Sequence, residues 1–163
     1  MAIRWEGPNV IGRPYPFKVY HIIEVLDKLR EQGKLKTTGC ELERITFHDP
    51  CQAARRGGVN QPQRNLLNMV SSNFIEMKDS QACNWCCGGG GGVNTIEKAE
   101  PLMKKVFNRK RNQIEELDVT TVVTMCATCR NTLEEGIENN NMNVQVLGLT
   151  ELVANHLLKE KKS

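Results

Sequence analysis

The chain contains no run of about 20 apolar residues that could cross a bilayer, and no charged-then-apolar leader opens it. It therefore reads as a cytoplasmic protein. Excess charge of one sign is also absent: 22 basic residues stand against 19 acidic ones, interspersed along the chain. A net charge of +3 implies no nucleic-acid surface. Aromatics are sparse, and the two Trp, two Tyr and four Phe form no stacking platform. At 163 residues the chain has the length of one ordinary domain, enough to bury roughly 70% of its unfolded surface, so neither disulfides nor metal are needed merely to fold it. Cysteine is abundant instead. The seven cysteines are an odd number and include an adjacent pair and a CxxC, which fits a reducing compartment and metal or redox chemistry better than a disulfide framework.

Read in order, residues 1–18 look like an arm: Pro8, Pro14, Pro16, Gly7 and Gly12 argue against helix, and Trp5, Ile11, Tyr15 and Phe17 suggest that the arm lies against a surface. The arm and a helix over 19–32, stopped by Gly33, form a first region (1–43) that reads as continuing from a larger protein. The second region, 44–163, alternates strands at 44–48, 74–77, 119–125 and 144–147 with helices over 62–71, from about 95 to 117, over 126–138 and after Thr150. Pro101 either starts the third of these helices or kinks it. This rhythm predicts an α/β fold with a mainly parallel sheet of about four strands and helices on both faces.

That order places the cysteines. Cys51 follows the first strand, Cys86 and Cys87 the second, and Cys126 and Cys129 the third, so all three groups fall at carboxyl ends of strands, where open α/β sheets bind ligands. Adjacent cysteines do not bridge to each other readily, and the five glycines Gly88 to Gly92 let backbone approach something bulky. A helix starting at Cys126 aims its free N–H groups and positive dipole end at the same edge, which favours thiolate and sulfide. Thiolates without a matching set of histidines select iron–sulfur clusters or zinc. Residues 79–94 lack apolar anchors and are expected to be mobile until such a ligand binds.

The spacing has a family resemblance. Cys51, 34 residues, Cys86-Cys87-Gly88, and then Cys126-x-x-Cys129 with 38 residues after Cys87 resembles the cysteine-rich CCG domain of heterodisulfide reductases, with His48-Asp49-Pro50-Cys51 as a flanking word. The N-terminal Gly12-Arg13-Pro14 and Pro16-Phe17 look most like the iron–sulfur subunit of the heterodisulfide-reductase-like membrane complex that works with dissimilatory sulfite reductase. The resemblance implies a non-cubane 4Fe–4S cluster held by Cys51, Cys86, Cys87, Cys126 and Cys129, with Gly88, Gly89 and Gly90 against the cofactor. It further implies reductive cleavage of a protein-bound or small-molecule disulfide or trisulfide, with Cys86, Cys87 and His48 catalytic. Family members of this type also carry closely spaced CxxCxxC motifs that supply electrons. None is present here, so a ferredoxin-like module and membrane-complex subunits become the expected partners, with the chain peripheral at the inner face of the membrane through them.

Other readings stay open. Zinc could occupy the thiols, as a structural module or as a substitute metal, or the chain could be an electron-transfer scaffold without substrate chemistry. His48 either packs at the strand end and bonds backbone or donates a proton to a departing thiolate. Asp49 reads as a turn former, Arg55 and Arg56 as solvated, Cys83 as dispensable to the pattern, and Cys40 as a bystander.

Overall fold

The computed structural model describes residues 2–39 and 44–158. Cys40 lies outside them. Seven helices and four strands are found among the described residues, in the order α1 (Ala2–Trp5), α2 (Gly7–Ile11), α3 (Ile22–Glu31), β1 (Ile45–His48), α4 (Gln61–Val70), β2 (Phe74–Ile75), α5 (Glu100–Leu117), β3 (Thr121–Thr124), α6 (Ala127–Asn139), β4 (Gln145–Gly148) and α7 (Leu149–Asn155). Short 3₁₀ turns at Gln81–Cys83, Gly90–Thr95 and Glu97–Ala99 fill the connection from β2 to α5.

The sheet is parallel throughout, in the order β2-β1-β3-β4. Every residue of β1 and β3 is buried, as both faces of an internal parallel strand must be. Side-chain alternation then splits the core in two. Ile45, Phe47 and Val123 point to one face and pack with Ile23, Leu66, Leu67, Leu149 and Leu152 from α3, α4 and α7. Val122 and Val146 point to the other and pack with Phe107 and Ile114 of α5 and Cys129, Leu133 and Ile137 of α6. The strands pair in register so that His48, Thr124 and Gly148 lie level at the carboxyl edge.

The N-terminal arm differs from expectation, because two short helices form there. Pro8 sits in the first turn of α2, where its missing N–H is not needed, and Gly12 closes the helix in the left-handed region at φ 69°. Nor do apolar side chains fix the arm, since Trp5, Ile11 and Phe17 are exposed. Arg4 does so instead, through the Val19 carbonyl and the Glu24 carboxylate. Helix α3 starts at Ile22, later than expected, because His21 caps it: its Nδ1 accepts from the Ile23 amide while Glu24 accepts from the His21 amide. Pro101 starts α5 in place of kinking it, and α5 begins only at Glu100, leaving Ile96 and Leu102 exposed. Strand β2 is cut to two residues because Glu76 turns to Arg64 and Met77 enters the core.

Asp49, just past β1, is buried and meets the buried Arg64 of α4 in two parallel bonds of 2.6 Å. Such a fork is the strongest geometry a carboxylate and a guanidinium can adopt. Burial opposes the Arg64 charge, but the bonds to Asp49 and Glu76 outweigh it and raise its pKa. Asp49 also accepts from the Gln81 amide at 2.6 Å, and its own carbonyl accepts from the Asn84 side chain. Arg55 grips the same segment through the Ala82 carbonyl at 3.0 Å and the Asn84 side chain at 3.1 Å. Residues 81–84 are therefore anchored, by polar groups and not by apolar ones. Asp49→Ala leaves the buried Arg64 with the Asn60 carbonyl and, as counter-charge, the partly exposed Glu76, and the expected cost is about 3 kcal/mol, the scale of breaking a buried ion pair. A urea melt reads it directly, and an unchanged midpoint would remove Asp49 from this role.

Candidate functional site

Cys51, Cys86, Cys87, Cys126 and Cys129 line one cavity of about 270 Å³ at the carboxyl edge of the sheet. Pro50 and Gln52 form one wall, Gly90, Gly91, Gly92 and Asn94 another, and Thr128 the base of α6. Each group arrives by a different route. Cys51 enters the turn that Pro50 opens, with the Ala53 and Ala54 amides bonded back to the Pro50 carbonyl. Cys86 and Cys87 follow Asn84, which is held by Asp49 and Arg55. Cys126 is the residue that caps α6, extended at φ −129° and ψ 123°, and Cys129 lies one turn into the helix on the inward face.

The sulfurs are close. Cys87 and Cys129, both buried, place Sγ atoms 3.4 Å apart, and the Gly88 amide donates to Cys86 Sγ at 3.4 Å. Crowded thiols share protons unevenly. Bonds from the Cys129 thiol, then from Cys86, hold the Cys87 pKa far below the ordinary thiol value, whereas the partners Cys86 and Cys129 are pushed up. Cys126 is brought down to about 5, first by the Cys129 thiol and then, against burial, by the Cys129 and Thr128 amides at the start of α6. Ionisation is thus favoured at Cys87 and Cys126 and opposed at Cys86 and Cys129.

His48 lies under the same cavity. Its ring is within 4.8 Å of the Cys87 and Cys129 sulfurs, the Cys87 thiol being the polar group it interacts with, and neither buried ring nitrogen meets a closer hydrogen-bond partner among the described residues. The expected bond to backbone is not made by the ring; instead the His48 carbonyl accepts from Thr124 Oγ1 at 3.1 Å. Burial holds its pKa below the usual value, so the imidazole is neutral. A neutral imidazole with unmet nitrogens beside thiolates is a donor set that suits a soft metal or a metal–sulfur group.

The glycines divide their work. Gly90, Gly91 and Gly92 line the cavity, with the last two in the left-handed region at φ 66° and 81°. Gly88 and Gly89 lie against the flanking helices: a Cβ on Gly89 would fall 2.0 Å from Thr132 Oγ1 of α6, and one on Gly88 would press on Val106 of α5. Cys83 is exposed and does not line the cavity. Two residues carry more of the site than the sequence suggested. Asp49 and Arg55, read as turn former and solvated cation, fix the cysteine segment, while Arg56 pairs on the surface with Glu6 at 3.1 Å. Their signal was chemical, a carboxylate and a guanidinium flanking Cys51, but only the fold shows which backbone they reach.

Comparison with known proteins agrees with this geometry. The chain is 29% identical to a subunit of the dihydromethanophenazine:CoB–CoM heterodisulfide reductase of Methanosarcina acetivorans, over 96% of its own length and 38% of that protein. It is 30% identical to an EtfAB:quinone oxidoreductase of Syntrophomonas wolfei, over 84% of this chain and 20% of the relative. A third relative, an iron-sulfur subunit of the Hdr-like menaquinol oxidoreductase of Archaeoglobus fulgidus, is 29% identical over 85% of this chain and 26% of its own length. The chain spans about two-fifths of the length of these curated relatives, or less. The family model of the CCG cysteine-rich domain matches residues 45–134, from the first residue of β1 to the middle of α6 and so through all five cavity cysteines. The chain belongs to the CCG cysteine-rich domain family.

Proposed function

We propose that the chain is an iron–sulfur redox domain in which Cys51, Cys86, Cys87, Cys126 and Cys129 hold a non-cubane 4Fe–4S cluster and a disulfide or trisulfide is cleaved reductively, or formed in reverse. The observation that carries this reading is the convergence of five cysteine sulfurs from three separate strand ends on one cavity. Four thiolates complete an ordinary cluster, so these five cysteines would offer one ligand more than such a cluster needs. Bound there, such a cluster supplies single electrons and an iron site able to take up a thiolate. Cleavage of R–S–S–R′ consumes two electrons and two protons and gives RSH and R′SH. In this reading the electrons are supplied by a ferredoxin-like module. The chain's own residues govern protons and access. Neutral His48 offers one N–H and one lone pair next to Cys87 and Cys129, and can pass a proton without storing charge. The Cys86 and Cys129 thiols carry protons that a binding metal displaces.

The oxidant in this reading is a protein-bound disulfide or trisulfide in a sulfur- or sulfite-respiring complex, with a small heterodisulfide as alternative. The chain would work in the cytoplasm, at the inner face of the membrane through partner subunits; among the described residues no helix is long and apolar enough to cross a membrane. One observation favours a second metal. His48, Cys87 and Cys129 place three ligand atoms within 4.8 Å of one another, an arrangement that also suits zinc.

Anaerobic reconstitution followed by absorption, EPR and iron and sulfide analysis separates these readings. The expected result is one iron–sulfur centre per chain, lost in Cys126→Ser because a hard oxygen replaces a thiolate at the α6 cap. Cys83→Ser, changed at an exposed thiol outside the cavity, is expected to bind the centre as before. A colourless protein with one zinc, or full retention of the centre in Cys126→Ser, defeats the assignment. Substrate chemistry is tested by mixing the pre-reduced protein with an organic trisulfide in stopped flow. Cluster oxidation is expected in a single pass, with slow turnover until a ferredoxin-like module is added. A cluster that stays reduced while the same trisulfide oxidises a full-length relative makes the chain a scaffold.

A further inference from the structure

Helix α5 carries a lysine where its pattern should place an apolar residue. Lys110 is fully buried, at 0% exposure, although Arg109 beside it is exposed. Its Nζ donates to Gln113 Oε1 at 3.0 Å and to Met77 Sδ at 3.3 Å, and among the described residues it makes no ion pair. Gln113 in turn donates to the Asp79 carboxylate, which is already bonded to Arg109 at 2.9 Å. The ammonium group is therefore compensated only at second hand. A buried lysine without a carboxylate in contact normally sheds its proton or is replaced by a hydrophobe of similar length. Here burial lowers the pKa only to about 8, so the charge persists at neutral pH.

Part of the counter-charge is on the cavity sulfurs. Met77, to which the ammonium is bonded, belongs to the same buried cluster as Cys87 and Cys129, so Lys110 reaches the side of the core that carries the two buried cavity cysteines. The anionic groups that act on it are Asp79 first, then Asp49, Cys87 and Cys86, and the neutral His48 beside the sulfurs also feels the ammonium. Met77, Cys87, Cys129 and His48 are all buried, so the attraction is weakly screened. Resting on the reading that the cavity holds a redox centre, we propose that Lys110 is a positioning residue for that centre: a fixed buried cation that stabilises negative charge on the sulfurs and raises the potential at which the site accepts an electron.

The test uses the full chain with Lys110→Met, which keeps length and removes charge, and Lys110→Gln, which also keeps polarity. In the cluster-free protein, titration of thiolate absorbance is expected to show the most acidic thiols weakened by about one pKa unit, a tenfold change in their ionisation constant. Exposed Cys83, read by its alkylation rate, is expected to be unchanged and serves as the internal control. In the reconstituted protein, an EPR-monitored redox titration is expected to show the midpoint lowered by a tenfold change in the reduced-to-oxidised ratio, about 59 mV for one electron. Lys110→Met is expected to unfold at or above the wild-type temperature, because a buried charge without a carboxylate in contact is replaced by a hydrophobe of similar length. A purely structural lysine would give the opposite pattern, lower stability with thiol acidity and potential unmoved, and that result overturns the proposal. So does the failure of both variants to fold. If no iron–sulfur centre can be loaded into the wild type, the redox reading fails, while the thiol titration still decides whether Lys110 acts on the sulfurs.

Discussion

The Asp49 carboxylate ties together three parts of the chain at the edge of the cysteine site. It ends β1, takes both arms of the Arg64 guanidinium from α4, and receives the Gln81 amide from the segment that leads to the cysteine pair. A carboxylate buried this deeply is tolerable only with all of these bonds in place. Once they are made, the position of Cys86 and Cys87 relative to Cys51 is fixed through a few covalent links on each side. Arg64 extends the tie to Glu76 and lies over the Phe47 ring at 5.4 Å, so the same ion pair braces β1 from the side and from its end. Cys51 and the adjacent pair are thus set against a rigid frame of charge, while Cys126 and Cys129 are set by the start of a long helix.

The two supports impose different electrostatics. At the α6 cap, backbone amides lower the cost of a thiolate, and Cys126 is the thiol they serve. At the cysteine pair the charge on Cys87 depends first on the Cys129 and Cys86 thiols and then, against burial, on His48 and the Gly89 amide. Glycine makes both approaches feasible. Gly136 lets the Phe107 ring come within 2.4 Å of where a Cβ would stand, so α5 packs closely onto α6 and Phe107 joins the same cluster as Cys129.

Strand and helix alternation, the parallel sheet and the convergence of five cysteines were legible in the sequence because each rests on local pattern: Val and Thr in β3, helical spacing in α4 to α6, and cysteines just past strands. What was not legible rests on partners far away in sequence. Lys110 looks like any surface cation of a helix until Met77 and Gln113 close over it. Arg55 looks solvated until Ala82 and Asn84 turn their carbonyls to it. The proline-rich arm misled for a local reason, since a proline in a first turn and a glycine at a helix end favour a short helix as much as they break a long one.

The pairing of β1 with β3 has a consequence for how the protein is made. Thr124 bonds to the His48 carbonyl across 76 residues, and β2, with the whole of α4 and α5, lies between the paired strands in the chain. Closing so long a loop is slow, and central parallel strands form late in folding compared with neighbouring helices. Cys51 and Cys126 therefore stay far apart until most of the chain has collapsed. A metal group arriving earlier would find only the Cys83–Cys87 segment and the Cys126–Cys129 turn as separate, incomplete fragments. A bound metal group would accordingly add to a site that chain folding has already assembled.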